Sequence, residues 1–372
     1  MKEINNTEQN KTEQRFSNFE FLRILAMLMI VASHAVKHGG TAPVPTVSTF
    51  FTSGYITNVL FASWGQLGVC IFIVISSYFL CDANGIHFKK VIMIYAQTLL
   101  YSLIICFTFK IFNIEHFGPK QIIKAFLTPI YQWTEYWFIR QYLNFYLLVP
   151  ILQKLIKSIP DIALGKIILV LSIVVPGFMM FFLQENVKEI GEFTYLFLFT
   201  AYLKRKKNNV IERKPELFVI IIFTTCILFI FLFDWLTFRF GIRNLSSRIT
   251  MRYFPAYIFA ISLFFFAKKY WKFKNRIINF IAKTTLGIYI IHENPLMYFN
   301  KNEPFLFCRL FKIGKHSILN TYPIYLLSVV ILVFFICSVI EAIRILLIDN
   351  TVFKKGLWID KVCKKIDNWY SL

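Results

Sequence analysis

Acidic residues are scarce in this 372-residue sequence, with 20 Asp and Glu against 41 Lys and Arg. Charge of either sign is sparse, at 16% of residues against roughly one-quarter in a soluble domain. That shortage excludes a water-soluble globule, because too few polar side chains exist to cover one. The seven cysteines, at positions 70, 81, 106, 226, 308, 337 and 363, include no Cys-x-x-Cys pair. A disulfide framework or zinc ribbon is therefore excluded, and the cysteines read as small apolar packing residues. There is no repeat, heptad run or low-complexity tract, which argues against a solenoid or a coiled coil. No Gly-x-Ser-x-Gly elbow is present, which disfavours covalent catalysis through an activated serine. The formal charge of +21 is carried by short runs such as Lys204-Arg205-Lys206-Lys207 and Lys268-Lys269, with no continuous basic face and no nucleic-acid motif, so no nucleic-acid partner is expected. The segment Met1 to Ser17 is polar and mixed in charge, and no cleavable signal peptide is evident.

What is abundant is apolar surface: 57% hydrophobic residues, 18% aromatic residues and a mean hydropathy of +0.59. The apolar residues come in long blocks, which read as bilayer-spanning helices. The expected fold is all-α, a polytopic membrane protein with about ten transmembrane helices. They are placed at 18–37, 64–81, 91–112, 136–155, 165–183, 190–204, 217–236, 252–268, 278–297 and 322–345. Residues 1–17 and 346–372 then form tails, the second one basic, too short to fold alone, and 18–345 form the membrane domain. Placing the N-terminus inside puts about twice as many Lys and Arg in the inner segments as in the outer loops, which predicts N-in and C-in. Segment 237–252 breaks the pattern, with Arg239, Arg243, Arg248 and Arg252 on the outer side. These could hold an acidic glycan or pyrophosphate, or anchor lipid headgroups.

Ionisable groups inside a span are expensive, which makes each a functional candidate. The first span carries Arg23 and His34. Eleven residues at about 100° each bring the two to within about 20° of one face, about 16 Å apart along the axis. One reading holds an anionic headgroup on Arg23 at the inner mouth and makes His34 a general base deeper in the membrane. The other lets Arg23 snorkel to lipid headgroups and leaves His34 near the outer interface. His292 and Glu293 close the ninth span on the outer side, and Arg140 lies one turn into the fourth, with an internal partner such as Glu135 or Asp234 expected. His38, His87, His116 and His316 fall in loops without the clustering a metal site needs, and no metal is expected.

The stretch Glu20-x-x-Arg23 through His34 resembles the opening signature of the acyltransferase-3 family of integral membrane acyltransferases. Three further stretches resemble that family in order: Phe72 to Leu80, where Ser77 departs from the usual glycine; Tyr136-Trp137-Phe138 with Tyr142, Tyr146 and Pro150; and Thr285-Leu-Gly287-Ile-Tyr289-Ile-Ile-His292. The resemblance implies transfer of an acetyl group from acetyl-CoA, the acyl-donor substrate, in the cytoplasm to a glycan hydroxyl on the outer side. It implies His34 as the essential base and Arg23 as its partner near the donor, with the 16 Å between them about the reach of a pantetheine arm. Members often carry Arg-x-x-Arg for the CoA phosphates; here the matching place reads Lys89-Lys90-Val-Ile-Met93, so Lys89 and Lys90 are the donor-binding candidates. Trp137, Arg140, Tyr289 and His292 are the candidates for the acceptor side. Ser76, Tyr289 and Trp137 are possible oxyanion donors, although for any single one of them packing is the commoner role.

The expectation is therefore an O-acetyltransferase in a cell membrane, most simply the bacterial cytoplasmic membrane, with the lipid bilayer and a polysaccharide or lipid-linked glycan as partners. A glycan transporter or flippase is the rival, and inverted repeats or Gly/Pro-broken helix pairs would favour it. A glycan polymerase is a second rival, which a large outer loop would favour.

Overall fold

The computed structural model describes residues 16–370, except 42–51, 84, 115–117, 128–135, 176–184, 241–253, 299, 301–302, 350 and 352–357. Its helices are α1 (Ser17–His38), α2 (Ser53–Leu80), α3 (Phe88–Ile111), α4 (Pro119–Phe126), α5 (Trp137–Ser158), α6 (Asp161–Ile173), α7 (Glu185–Arg205), α8 (Val210–Arg213), α9 (Pro215–Phe240), α10 (Phe254–Tyr270), α11 (Arg276–Lys283), α12 (Thr285–His292), α13 (Ile313–His316), α14 (Tyr322–Arg344) and α15 (Trp358–Tyr370). Among the described residues there is no strand. Helices α1, α2, α3, α9 and α14 are each long and apolar enough to cross a membrane.

The apolar faces point outward as well as inward. Helix α9 buries only Pro215, Cys226, Ile230 and Asp234 among its described residues. Helix α14 exposes Ile324, Leu327, Ile331 and Phe335. A belt of this kind is unstable in water and suits hydrocarbon. Helix α1 is the opposite case: it carries no Pro or Gly, and packs against α2, α10, α11, α12 and α14. Its approach to α2 is close because of Gly68, where a Cβ would stand 2.5 Å from the Ala26 carbonyl oxygen.

Several boundaries differ from expectation. Helix α2 starts at Ser53 rather than 64, because its polar first turns are satisfied internally. Thr52 caps the Tyr55 N–H, Tyr55 donates to Asp234, and Asn58 accepts from the Tyr322 hydroxyl at 2.5 Å. The expected span 278–297 is two helices, α11 and α12. The Thr284 and Thr285 hydroxyls donate back to the Ile281 and Ala282 carbonyls at 2.7 and 2.9 Å where the two meet. Helix α6 starts at Asp161, and 176–183 of that expected span lie outside the described residues. The short span 190–204 is a full helix, α7. Arg239 sits in the last turn of α9, while Arg243, Arg248 and Arg252 lie outside the described residues. The basic tail contains α15, which docks on the start of α3: Asp360 meets Lys89 at 3.0 Å, and Asp367 accepts the Phe88 N–H at 2.6 Å.

Buried charge in the last span is fully partnered. The Glu341 carboxylate accepts from Gln97, Tyr101 and Arg344 at 2.6–2.9 Å, and Arg344 reaches on to Asp349 at 2.7 Å. This carboxylate covers Gly287, where a Cβ would fall 2.3–2.4 Å from it. The glycine of the Thr285-Leu-Gly287 stretch is thus required by a close approach, and the network ties α3 and α14 to α12.

Candidate active site

Long-range bonds sort the helix ends into two groups. At one end, the start of α1 meets the end of α10 and the start of α11: Asn18 donates to the Ala267 carbonyl at 3.2 Å, and the Asn275 N–H donates to Ser17 at 2.9 Å. The ends of α2 and α7 join there, with Lys204 donating to the Tyr78 carbonyl. At the other end, the end of α1, the start of α2 and the start of α14 converge through Thr41, Asn58 and Tyr322. Arg23 lies toward the first end of α1 and His34 toward the second.

The first end is cationic. Arg23 is ion-paired with Glu20 one turn earlier. Lys90 donates to the Tyr142 hydroxyl at 2.5 Å and stands 4.9 and 4.7 Å from the Tyr142 and Tyr146 ring centroids. Ser76 is a further partner of Tyr142, and Arg23 is near enough for its charge to act on that ring. Tyr142 therefore holds Lys90, with Ser76 beside it and the Arg23 charge within electrostatic range. Lys89 turns away from this cluster to Asp360 of α15. Lys204 and Lys268 lie 4.2 and 5.4 Å from the Tyr78 ring centroid and extend the basic rim.

The second end is a buried histidine–carboxylate cluster. His34 Nδ1 lies 2.9 Å from Glu293 Oε2 and 3.0 Å from His292 Nε2. His292 is fully buried, and its Nδ1 faces the Ile288 carbonyl at 2.6 Å. A carbonyl only accepts, so Nδ1 of His292 carries the proton and its Nε2 is an acceptor. His34 Nδ1 then faces two acceptors and must be the protonated nitrogen. In neutral His34 the Nε2 lone pair is left to meet a ligand, and among the described residues none hydrogen-bonds to it. Tyr298 steadies the carboxylate, its hydroxyl lying 2.9 Å from Glu293 Oε2 and 3.1 Å from the His292 carbonyl. His38, one turn beyond His34, brings Nε2 to 3.5 Å from Glu293 Oε1.

This cluster rests on a polar scaffold. Asn294 donates to the Tyr136 hydroxyl at 2.8 Å and to Ser102 at 3.2 Å, and Tyr136 donates to the Ile290 carbonyl at 2.5 Å. The start of α5 and the end of α12 are thereby held together. The Tyr289 ring is 6.3 Å from that of His34 and 6.0 Å from that of His292. Of the three oxyanion candidates the structure brings Tyr289 to His34, while Ser76 belongs to the cationic end. Trp137 packs edge-on against Phe138, and Arg140 is half-buried one turn into α5. Asp234 receives the Tyr55 hydroxyl, and Glu135 lies outside the described residues.

His38 corrects an expectation. It is the last residue of α1 rather than a loop residue, because the helix runs one residue further than expected and keeps it on the face that meets Glu293. Its spacing of four from His34 was the available signal, since residues four apart share a helix face. Of the other loop histidines, His87 flanks α3, His316 closes α13 and stacks on Tyr325 at 4.1 Å, and His116 lies outside the described residues. Sequence reasoning also passed over Glu192, a buried carboxylate on α7 that accepts from Gln66 at 3.0 Å.

Residues 16–342 match the family model described as an acyltransferase domain. No curated protein and no solved structure matches the chain. The match spans every residue of both ends described above and stops short of α15. This chain, a membrane-embedded bundle of helices, belongs to the acyltransferase-3 family.

Proposed function

We propose that this membrane acyltransferase moves an acetyl group from acetyl-CoA to a hydroxyl of a cell-envelope polysaccharide or its lipid-linked precursor. In this reading about ten helices cross the membrane, both termini are cytoplasmic, and the cationic end faces the cytoplasm. Arg23 and Lys90, both near Tyr142, meet the phosphates of the donor. Trp137, Arg140 and Tyr289 line the acceptor side. The acyl arm runs along α1 toward His34.

The observation that carries this reading is the polarity of His34. Its Nδ1 is held by Glu293 and His292, so its Nε2 is the basic nitrogen. Nε2 takes the proton of the sugar hydroxyl as the oxygen attacks the thioester carbonyl. The C–S bond breaks, and the departing CoA sulfur receives the proton from Nε2. Glu293 offsets the positive charge that His34 carries between the two transfers. His292, with its own Nδ1 bonded to a carbonyl, orients His34 rather than exchanging protons with substrate.

The test is acetyl transfer in proteoliposomes supplied with radiolabelled acetyl-CoA on the side of the cationic rim. Label reaching a glycan acceptor in the wild type, and lost in His34→Ala with CoA binding retained, is the expected result. Undiminished transfer by His34→Ala removes the histidine from the chemistry. Absence of both CoA binding and label movement overturns the donor assignment.

A further inference from the structure

We propose that His34, His292 and Glu293, with His38 beside them, form a binding site for a divalent transition metal of the zinc class. We further propose that the metal, when bound, silences His34. The silencing rests on the transferase reading above; the metal site does not.

Three ligand atoms, one from each of His34, His292 and Glu293, lie within 4.8 Å of one another. His34 Nδ1 is 3.0 Å from His292 Nε2 and 2.9 Å from Glu293 Oε2. Around zinc, with bonds of about 2.0–2.2 Å, neighbouring tetrahedral ligand atoms stand roughly 3.4 Å apart. An opening of a few tenths of an ångström admits the ion. His38 stands beside this set of three, with Nε2 3.5 Å from the other carboxylate oxygen, Glu293 Oε1. The three ligands come from two backbone segments only, the end of α1 and the end of α12.

Charge favours a cation here. Glu293 is buried, and among the described residues its ion-pair partners are His34 and His38, which carry charge only when protonated. The other buried carboxylates in the membrane domain with a resolved ion pair, Glu20 and Glu341, each have the permanent charge of an arginine, Arg23 and Arg344. The surroundings also match a metal site. His292 donates its second ring N–H to the Ile288 carbonyl, and Tyr298 lies on the liganding carboxylate. Both are the outer contacts that fix ligand orientation around a metal. Two or three imidazoles with one carboxylate suit zinc-class ions and not calcium or magnesium, which take oxygen.

The chemical consequence follows from one proton. A metal at His34 Nδ1 needs the lone pair there, so the proton of the neutral ring moves to Nε2. Nε2 then donates and no longer accepts, and the base is lost while the metal stays.

The full chain in detergent micelles, stripped of metal and titrated with Co²⁺, tests the site through the visible bands of tetrahedral cobalt. One equivalent is expected, displaced by Zn²⁺. His292→Gln and Glu293→Gln abolish the bands, and Tyr298→Phe, which keeps every ligand, weakens binding about 10–100-fold. Gel filtration and thermal unfolding establish that each variant is folded. No cobalt spectrum in the wild type, or a spectrum unchanged in folded His292→Gln and Glu293→Gln, overturns the site. Zn²⁺ is expected to inhibit acetyl transfer with the midpoint at which it displaces cobalt, and chelator to restore it. Transfer that persists at saturating Zn²⁺, or that chelator abolishes, overturns the silencing. A chain with cobalt bands but no transfer under any condition refutes the transferase reading and leaves the site standing.

Discussion

The two ends of α1 solve opposite electrostatic problems. At the Arg23 end the cations are spread over aromatic faces, backbone carbonyls and carboxylates, of which Glu20 and Asp360 are buried and Asp82 is exposed. Lys90 lies on Tyr142 and Tyr146, and Lys204 on Tyr78. Such contacts are individually weak and leave the charges able to meet an incoming anion. At the His34 end Glu293, His34 and His292 sit in a buried cluster with fixed donors and acceptors, and the partly exposed His38 stands beside it. The first arrangement suits capture of a polyanion that must later leave. The second suits a proton that must move between specified atoms. In the proposed reading, binding and chemistry are separated along a single helix, which also sets their distance.

Substitutions can break or sharpen this contrast. The largest effect belongs to the histidine end: His34→Ala should lower the rate of acetyl transfer about 10²–10⁴-fold, read with labelled acetyl-CoA, while donor binding stays. Glu293→Gln should lower kcat about 10–100-fold with the donor KM unchanged, because the carboxylate acts through His34. A rise in KM alone would move Glu293 out of the proton path. At the cationic end, Lys90→Ala should raise the donor KM about tenfold, or about 1.4 kcal/mol, with kcat little changed; a fall in kcat alone would erase the division between the ends. Between the two, Gly287→Ala pushes a methyl group against the Glu341 carboxylate and should lower stability by about 1–3 kcal/mol in a thermal unfolding series in micelles. The smallest effect is expected from Lys89→Ala, which removes the ion pair with Asp360 of α15. A donor KM within about twofold of wild type, and a stability change under about 1 kcal/mol for this partly exposed pair, would separate it from Lys90.

Much of this organisation was legible in one dimension. The long apolar blocks announced the five helices long and apolar enough to cross a membrane, and the eleven-residue spacing of Arg23 and His34 placed them on one face of α1. Polar helix turns were hidden, because Ser53 to Asn58 read as a loop until Asp234 and Tyr322 are seen to satisfy them. Lys89 and Lys90 were indistinguishable as neighbours in a basic run. A helix turns about 100° per residue, so one faces Tyr142 and the other α15. Glu341 and Arg344 attracted no notice in a strongly apolar span, although their spacing of three puts them in contact.

The sequence by itself determined that this chain is an apolar, helical membrane protein and that Arg23 and His34 share one face of its first helix. Those properties follow from composition and from helical periodicity, which are local. Only the tertiary structure decided which groups complete each end. His34 and Glu293 are separated by more than two hundred residues, and nothing in a local pattern measures that contact. It exists because α1 packs against α12, with Gly68 seating α1 on α2 and Gly287 seating α12 beneath Glu341, and close packing converts those distant positions into a 2.9 Å hydrogen bond.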